Sequence, residues 1–371
     1  MPENGLMRQG KSWHKQNDLR ALFKQYLEKG DAPEDIRWES LTTADGLPHN
    51  WIYDLYQASD GKIYVGTWGG GLAVLDGAQW RIYSKKDGLA SNAVTCIQEG
   101  RDGRIWLATD NGINILAGGQ ISDGGLNGKS LLNLTFDRRG NLWAGCWRAT
   151  HSGGGLYRFD GRGWQSFTTR DGLPGQEILK VFEDSKGRIW VGTYEHGMGA
   201  GVGWTDGSRW HNYNRSDGLA DDCVYSMFED PSGNMWFGTI KGISIFDGRN
   251  WHYLSSRDGL VDDRIYCMWI DSNKKMWFGT EKGVSRFDGT NWISYRKKDG
   301  LVEDLVRTIL ETREHDLWFG TYPYAQGRGG ISIARFDSVK SLKDRVLDLL
   351  PDPDRYPRLD SGDQDETSST K

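Results

Sequence analysis

The feature that most constrains this chain is a fixed interval. Leu47, Leu89, Leu126, Leu173, Leu219, Leu260 and Leu301 are each followed 17 residues later by an aromatic: Tyr64, Trp106, Trp143, Trp190, Trp236, Trp277 and Trp318. A second ruler agrees, because Trp38, Trp80, Trp164, Trp210, Trp251 and Trp292 each stand seven residues before the Asp of an Asp-Gly-Leu. Insertions therefore fall between the rulers and leave them intact. A period of roughly 40 residues marks a closed or stacked array of small units rather than a set of ordinary domains.

One unit, Asp258 to Trp292, shows what is repeated. It runs from Asp-Gly-Leu through an alternating apolar run, a polar turn and a Trp-Phe-Gly-Thr strand. A Gly-containing turn, a Phe-Asp-Gly corner and a closing Trp follow. Each hydrophobic piece is four to seven residues long and is bounded by turn formers, so the unit reads as short antiparallel strands A, B, C and D. Trp38 to Thr42 reads as a closing strand without a beginning, and the last repeat (Asp304 to Glu311, Leu317 to Thr321, Ile331 to Phe336) lacks a closing Trp strand. Sewing the first strand into the last sheet closes a ring and removes the exposed edge. The expectation is an all-β, seven-bladed β-propeller of four-stranded antiparallel blades, closed by an N-terminal strand, with short helical N- and C-terminal extensions. Blade two, with AGGQISDGG in place of the aromatic corner, is expected to have a short, poorly ordered outer strand.

Three regions follow. Residues 1–35 form an extension with an amphipathic helix from Asn17 to Lys29, residues 36–337 the propeller, and residues 338–371 a helix ended by Pro351 and a disordered acidic tail. The 18 Trp, 15 Tyr and 12 Phe supply a core, and the Trp of each B strand is read as core rather than as a ligand stack. A net charge of -5 gives no electrostatic case for nucleic acid. Cys96, Cys146, Cys223 and Cys267 lie singly, which argues against a zinc site or a disulfide framework. No signal peptide or membrane span is visible, so the expected location is cytoplasmic, with no membrane contact.

The repeats Asp-Gly-Leu-x-x-[Asn/Asp]-x-[Val/Ile], Glu-Asp-x-x-Gly-x-[Ile/Met]-Trp-[Val/Phe]-Gly-Thr and Gly-[Ile/Val]-Ser-x-Phe-Asp-Gly closely resemble the two-component regulator propeller repeat, a ligand-binding sensor propeller. The resemblance covers all seven repeats and here takes the form of a single stand-alone propeller. It implies the propeller fold and, as an alternative function, an oligosaccharide-sensing domain of a two-component-type signalling system. A propeller hosts binding, scaffolding and catalysis alike, so the site must be argued from its residues.

Antiparallel order places the D-to-A connections and the B-to-C turns on one face. Blades two, five and six have minimal B-to-C turns. Blades one, three, four and seven carry longer ones, which bring Trp68, Trp147, Arg148, His151, Tyr194, Glu195, His196, Tyr322, Tyr324 and Arg328 to that face. Aromatics mixed with Arg, Glu and His suit a small ligand, a sugar or a protein partner. A second ring, three residues after each repeat Leu, contains Asn50, Asn92, Lys129, Gln176, Asp222, Asp263 and Asp304, with Asp221, Asp262 and Glu303 alongside. It surrounds the channel mouth and fits either a cation or, better, turn capping. No nucleophile elbow, HExxH or Cys-His signature is present, and Gly128-Lys129-Ser130 lacks the first glycine of a phosphate loop. The chain is therefore expected to be non-catalytic, without metal or cofactor. A second alternative is a metal-dependent lyase resembling streptogramin lyase, using His151 or His196 with His49 near the same rim.

Overall fold

The computed structural model describes residues 36–147, 154–194, 199–323 and 329–336. The expected terminal helices and the acidic tail lie outside these residues. The described chain forms seven four-stranded antiparallel sheets. Six are built from consecutive strands, as in blade five, where A is Val224–Glu229, B Met235–Thr239, C Gly242–Phe246 and D Trp251–Leu254. In the seventh, A (Val306–Glu311), B (Leu317–Thr321) and C (Gly330–Phe336) are completed by Ile36–Leu41, which pairs antiparallel with strand C from Ile36↔Phe336 to Leu41↔Ile331.

Each part of the repeat signature has a physical reason. The Asp of Asp-Gly-Leu caps its own turn: Asp45 Oδ2 accepts the Thr42 backbone N–H at 2.9 Å, and Asp87 Oδ2 accepts that of Ser84 at 2.9 Å. The Gly must turn left-handed, with φ of 102° at Gly46, and a side chain there would strike the closing Trp of the same blade, since an added Cβ would lie 2.8 Å from Trp80 Cδ1. Gly300 meets Trp38 in the same way, so the N-terminal strand takes the structural place of a fourth strand in blade seven. The Leu is buried at 3–4 % exposure in six of the seven blades (47, 89, 173, 219, 260, 301).

The B-strand aromatics sit between blades. Trp190, Trp236 and Trp277 are fully buried, and their indole N–H groups donate to Asp184, Asp230 and Asp271 at 2.8, 3.0 and 2.8 Å. This links the polar A-to-B turn to the core of its own blade. Burial pushes the Asp184 carboxyl up, but donation from Trp190 and Arg188 outweighs it and holds the group below its ordinary range. The Gly two residues after the Trp admits the next blade: a Cβ on Gly66 would stand 2.7 Å from the Val94 carbonyl oxygen.

The outer strand of blade two differs from expectation. Gln120–Gly125 is a full six-residue strand, paired with strand C from Ala117↔Gln120 to Ile113↔Gly125 with one register shift. Ile121 packs against Gly88 where the other blades use Trp, so an aliphatic side chain satisfies the same contact.

Candidate functional site

The inner A strands of all seven blades surround a central channel of about 800 Å³. The B-to-C loops and the D-to-A loops meet at one end of it, called here the upper face. Gly69 N–H and Gly71 N–H both donate to the Asn92 carbonyl, and Gly155 and Gly242 donate to those of Gln176 and Asp263. The B-to-C loops of blades one, three and five are thereby tied to the loop that enters the next blade.

Trp68, Trp147, Tyr194 and Tyr322 are the candidate loop residues that lie within the described chain, and all four join one aromatic network. Trp147 meets Trp68 edge-on at 6.4 Å, which brings the loops of blades three and one together above blade two. Trp68 stacks on Tyr53 at 5.0 Å, and Tyr53 meets Tyr322, which packs on Trp51 at 4.7 Å. The Arg307 guanidinium lies over the Tyr53 ring at 4.6 Å and 6.0 Å from Tyr266. Tyr266 meets Tyr225 at 5.1 Å, and Tyr225 meets Tyr194 at 6.4 Å. The chain of contacts thus runs from blade three through one, seven, six and five to blade four. Burial pushes the Tyr225 hydroxyl up to about 12, so it stays a neutral donor. Arg148, His151, Glu195, His196, Tyr324 and Arg328 lie outside the described residues.

Sequence reasoning missed the inner members of this network. Tyr53, Tyr225, Tyr266 and Arg307 stand six residues after their repeat Leu, where blades two, three and four have Thr95, Leu132 and Leu179. The same ruler that defined the repeat contains this signal. What hid it is a bulge at the start of the A strands, such as that between Ile52 and Asp54, which turns this position toward the channel.

The second candidate ring does different work. The side chains of Asn50, Asn92, Asp222, Asp263 and Asp304 accept backbone N–H groups of Thr43, Lys85, Arg215, Ser256 and Lys297, seven residues upstream. They cap the Asp-Gly-Leu turns. Gln176 contributes its backbone carbonyl, and Lys129 lies 5.8 Å from the Tyr157 ring. Asp221, Asp262 and Glu303 pair with Lys241, Lys282 and Lys297 at 2.9, 2.7 and 3.3 Å. The short turns of blades five and six are thus closed by their own ion pairs, and none of these acids is left for a cation.

His49 packs under the loop of blade one. Its Nδ1 accepts the Trp51 backbone N–H at 3.1 Å, its ring meets Trp51, and burial lowers its pKa. Among the described residues no group of three His, Cys, Asp or Glu side chains is placed to hold a metal ion.

Comparison with known proteins agrees with the architecture. The family model described as Two component regulator propeller matches residues 46–69, 88–111, 172–195 and 218–241. No curated protein matches the chain in sequence. Among solved structures, the extracellular domain of a hybrid two-component system from B. thetaiotaomicron is similar at TM-score 0.70 and 19% identity, over 85% of this chain and 42% of that one. A second such domain from the same organism gives 0.67 and 21%, over 82% and 40%. The chain therefore spans about two fifths of the length of these sensors. A streptogramin B lyase gives 0.60 and 14%, over 81% and 98%. Likeness at such identities establishes the fold.

These findings overturn the expected cytoplasmic location. The two-component propellers that the chain resembles are extracellular domains, and the absence of a visible leader or span was no positive ground for placing the chain inside the cell. The Asp-Gly-Leu turns, the matched segments and the seven-sheet ring agree: the chain is a seven-bladed propeller, four of whose repeats match the two-component regulator propeller model.

Proposed function

We propose that this propeller is a non-catalytic binding module that takes a ligand or a partner protein on its upper face, in an extracytoplasmic setting. The observation that carries the reading is the aromatic network from Trp147 to Tyr194. It concentrates half-buried rings, with one cation among them, on one face of an otherwise repetitive scaffold. Flat rings offer apolar platforms and their hydroxyls offer directional hydrogen bonds, which suits a sugar, a planar ligand or a peptide. The reading agrees with the likeness to sensor domains and needs no catalytic group. An oligosaccharide is the first alternative to a protein partner, since pyranose faces stack on such rings.

The test is a thermal-shift screen of oligosaccharide and peptide panels against the whole chain. Compounds that raise the melting temperature of the wild type should lose at least about tenfold in affinity against a Trp147→Ala, Tyr322→Ala double variant whose own melting temperature is little changed. Hits that bind the double variant as tightly would place the site elsewhere. A lyase reading would require turnover of a hit compound that His151→Ala or His196→Ala abolishes.

A further inference from the structure

Below the aromatic rim the channel wall changes chemistry partway round the ring. The position seven residues after each repeat Leu acts in blades one to three as an acceptor for the next blade. Ile97 N–H donates to Asp54 Oδ2 at 2.8 Å, Leu134 N–H to Cys96 Sγ at 3.3 Å, and Val181 N–H to Asn133 Oδ1 at 2.9 Å. Blade four places Lys180 there, whose ammonium has three donors and no acceptor, so the series stops. In blade five the Ser226 hydroxyl, on a residue only 6 % exposed, has no partner. Blade six places Cys267 at this position. Arg307 in blade seven rests on the Tyr53 ring, and neither it nor Lys180 makes a hydrogen bond or ion pair with a described residue.

Lys180 and Arg307 line the same channel from blades four and seven. Burial pushes the Cys267 thiol up to about 12, and the charges of Arg307 and Lys180 both oppose that push, so the two cations lie within electrostatic reach of one sulfur. Two half-buried cations that line one channel without a hydrogen-bonded acceptor are most simply matched by a ligand that brings acceptors. Asp54 is the carboxylate on the upper wall, and its oxygens are already engaged by Ile97 and Leu55 N–H. Two cations against one carboxylate leave a single positive charge, which a monoanion balances and a phosphate dianion exceeds.

We propose that the upper channel binds the carboxylate of a small ligand or chain end, with Lys180 and Arg307 supplying both charge and hydrogen-bond donors. This rests on the binding role assigned to the same face and names the chemistry that the face selects. A peptide C terminus and a sugar acid present the same group.

The experiment is calorimetric titration of the whole chain with acetyl-Ala-Phe and its C-terminal amide, and with glucuronate and glucose. At least one acid should bind about tenfold more tightly than its neutral counterpart, and the pair that shows this identifies the source. Lys180→Gln and Arg307→Gln should each erase that preference without lowering the melting temperature, and Arg307→Lys should keep part of it. Three results would overturn the proposal: no preference in either pair, a preference that survives both glutamine variants, or inorganic phosphate or chloride competing as well as the acid. Equal binding of acid and neutral probes that the Trp147→Ala, Tyr322→Ala variant abolishes would retain the aromatic face and discard the carboxylate. An acid preference that this variant keeps would do the reverse.

Discussion

At the lower end of the channel Glu99, Glu183, Glu229 and Glu311, each the last residue of an inner strand, accept backbone N–H groups from the A-to-B turns of the neighbouring blades at Ser59, Arg138, Ser185 and Ser272. The cations there are engaged as well, since Arg138 donates to the Ser185 and Asp184 carbonyls and Arg313 to those of Ala58 and Ser59. At the upper end Lys180 and Arg307 meet no such acceptors. One end is a girdle in which four glutamates and two arginines join neighbouring blades and find their partners inside the protein. The other leaves donors open, and open donors on a scaffold this regular are what distinguish a binding surface from a structural one.

That contrast can be broken by mutation. The largest effect belongs to the structural side: Trp236→Ala should destabilise by roughly 3–5 kcal/mol in denaturant unfolding, because it empties a fully buried site between blades. Glu229→Ala should cost about 1–2 kcal/mol, since it leaves the Ser185 N–H and hydroxyl of blade four without their acceptor, and it should not alter ligand binding on the upper face. A loss of binding with no loss of stability there would reverse the assignment of the two ends.

Asp54 gives a pH-dependent handle on the upper wall. Burial raises its carboxyl to about 6, against the pull of the Ile97 N–H and the Lys180 charge. A carboxyl raised in the fold holds a proton that the unfolded chain has already released. Its contribution therefore favours the fold on acidification across the window from about 6 to 4, and is lost as pH rises through 6. Asp54→Asn should remove about 1 kcal/mol of this pH dependence when its unfolding is compared with that of the wild type, water in the channel reducing the effect below the full shift. The smallest change is expected from Arg307→Gln, within about 0.5 kcal/mol of wild-type stability, since the guanidinium satisfies no described acceptor. A large destabilisation in this variant would make Arg307 part of the frame.

The repeat itself was legible because each of its signature residues answers a local demand. Asp45 caps, Gly46 turns left-handed and Leu47 buries, all within one short loop, and the spacing to Tyr64 is fixed by one hairpin. The four loop aromatics were legible as a set because long B-to-C loops break an otherwise uniform period. The role of Asn92 and its counterparts remained open at that stage, since an Asn or Asp near a channel mouth caps a turn or binds a ligand with the same side chain. Only the distance to the Lys85 N–H decides between them. The strength of the outer strand in blade two was misjudged because a missing Trp was taken as a missing contact, whereas Ile121 fills it.

By itself the sequence determined the period, the number of blades and the face on which the irregular loops emerge, because strand alternation and turn chemistry act over a few residues. The tertiary structure decided which of those residues meet. Trp147 reaches Trp68 across an intervening blade, and Lys180 and Arg307 share one channel although more than 120 residues separate them. Closing the ring sets these distances, and they follow from the packing of each blade on the next rather than from any local preference of the chain.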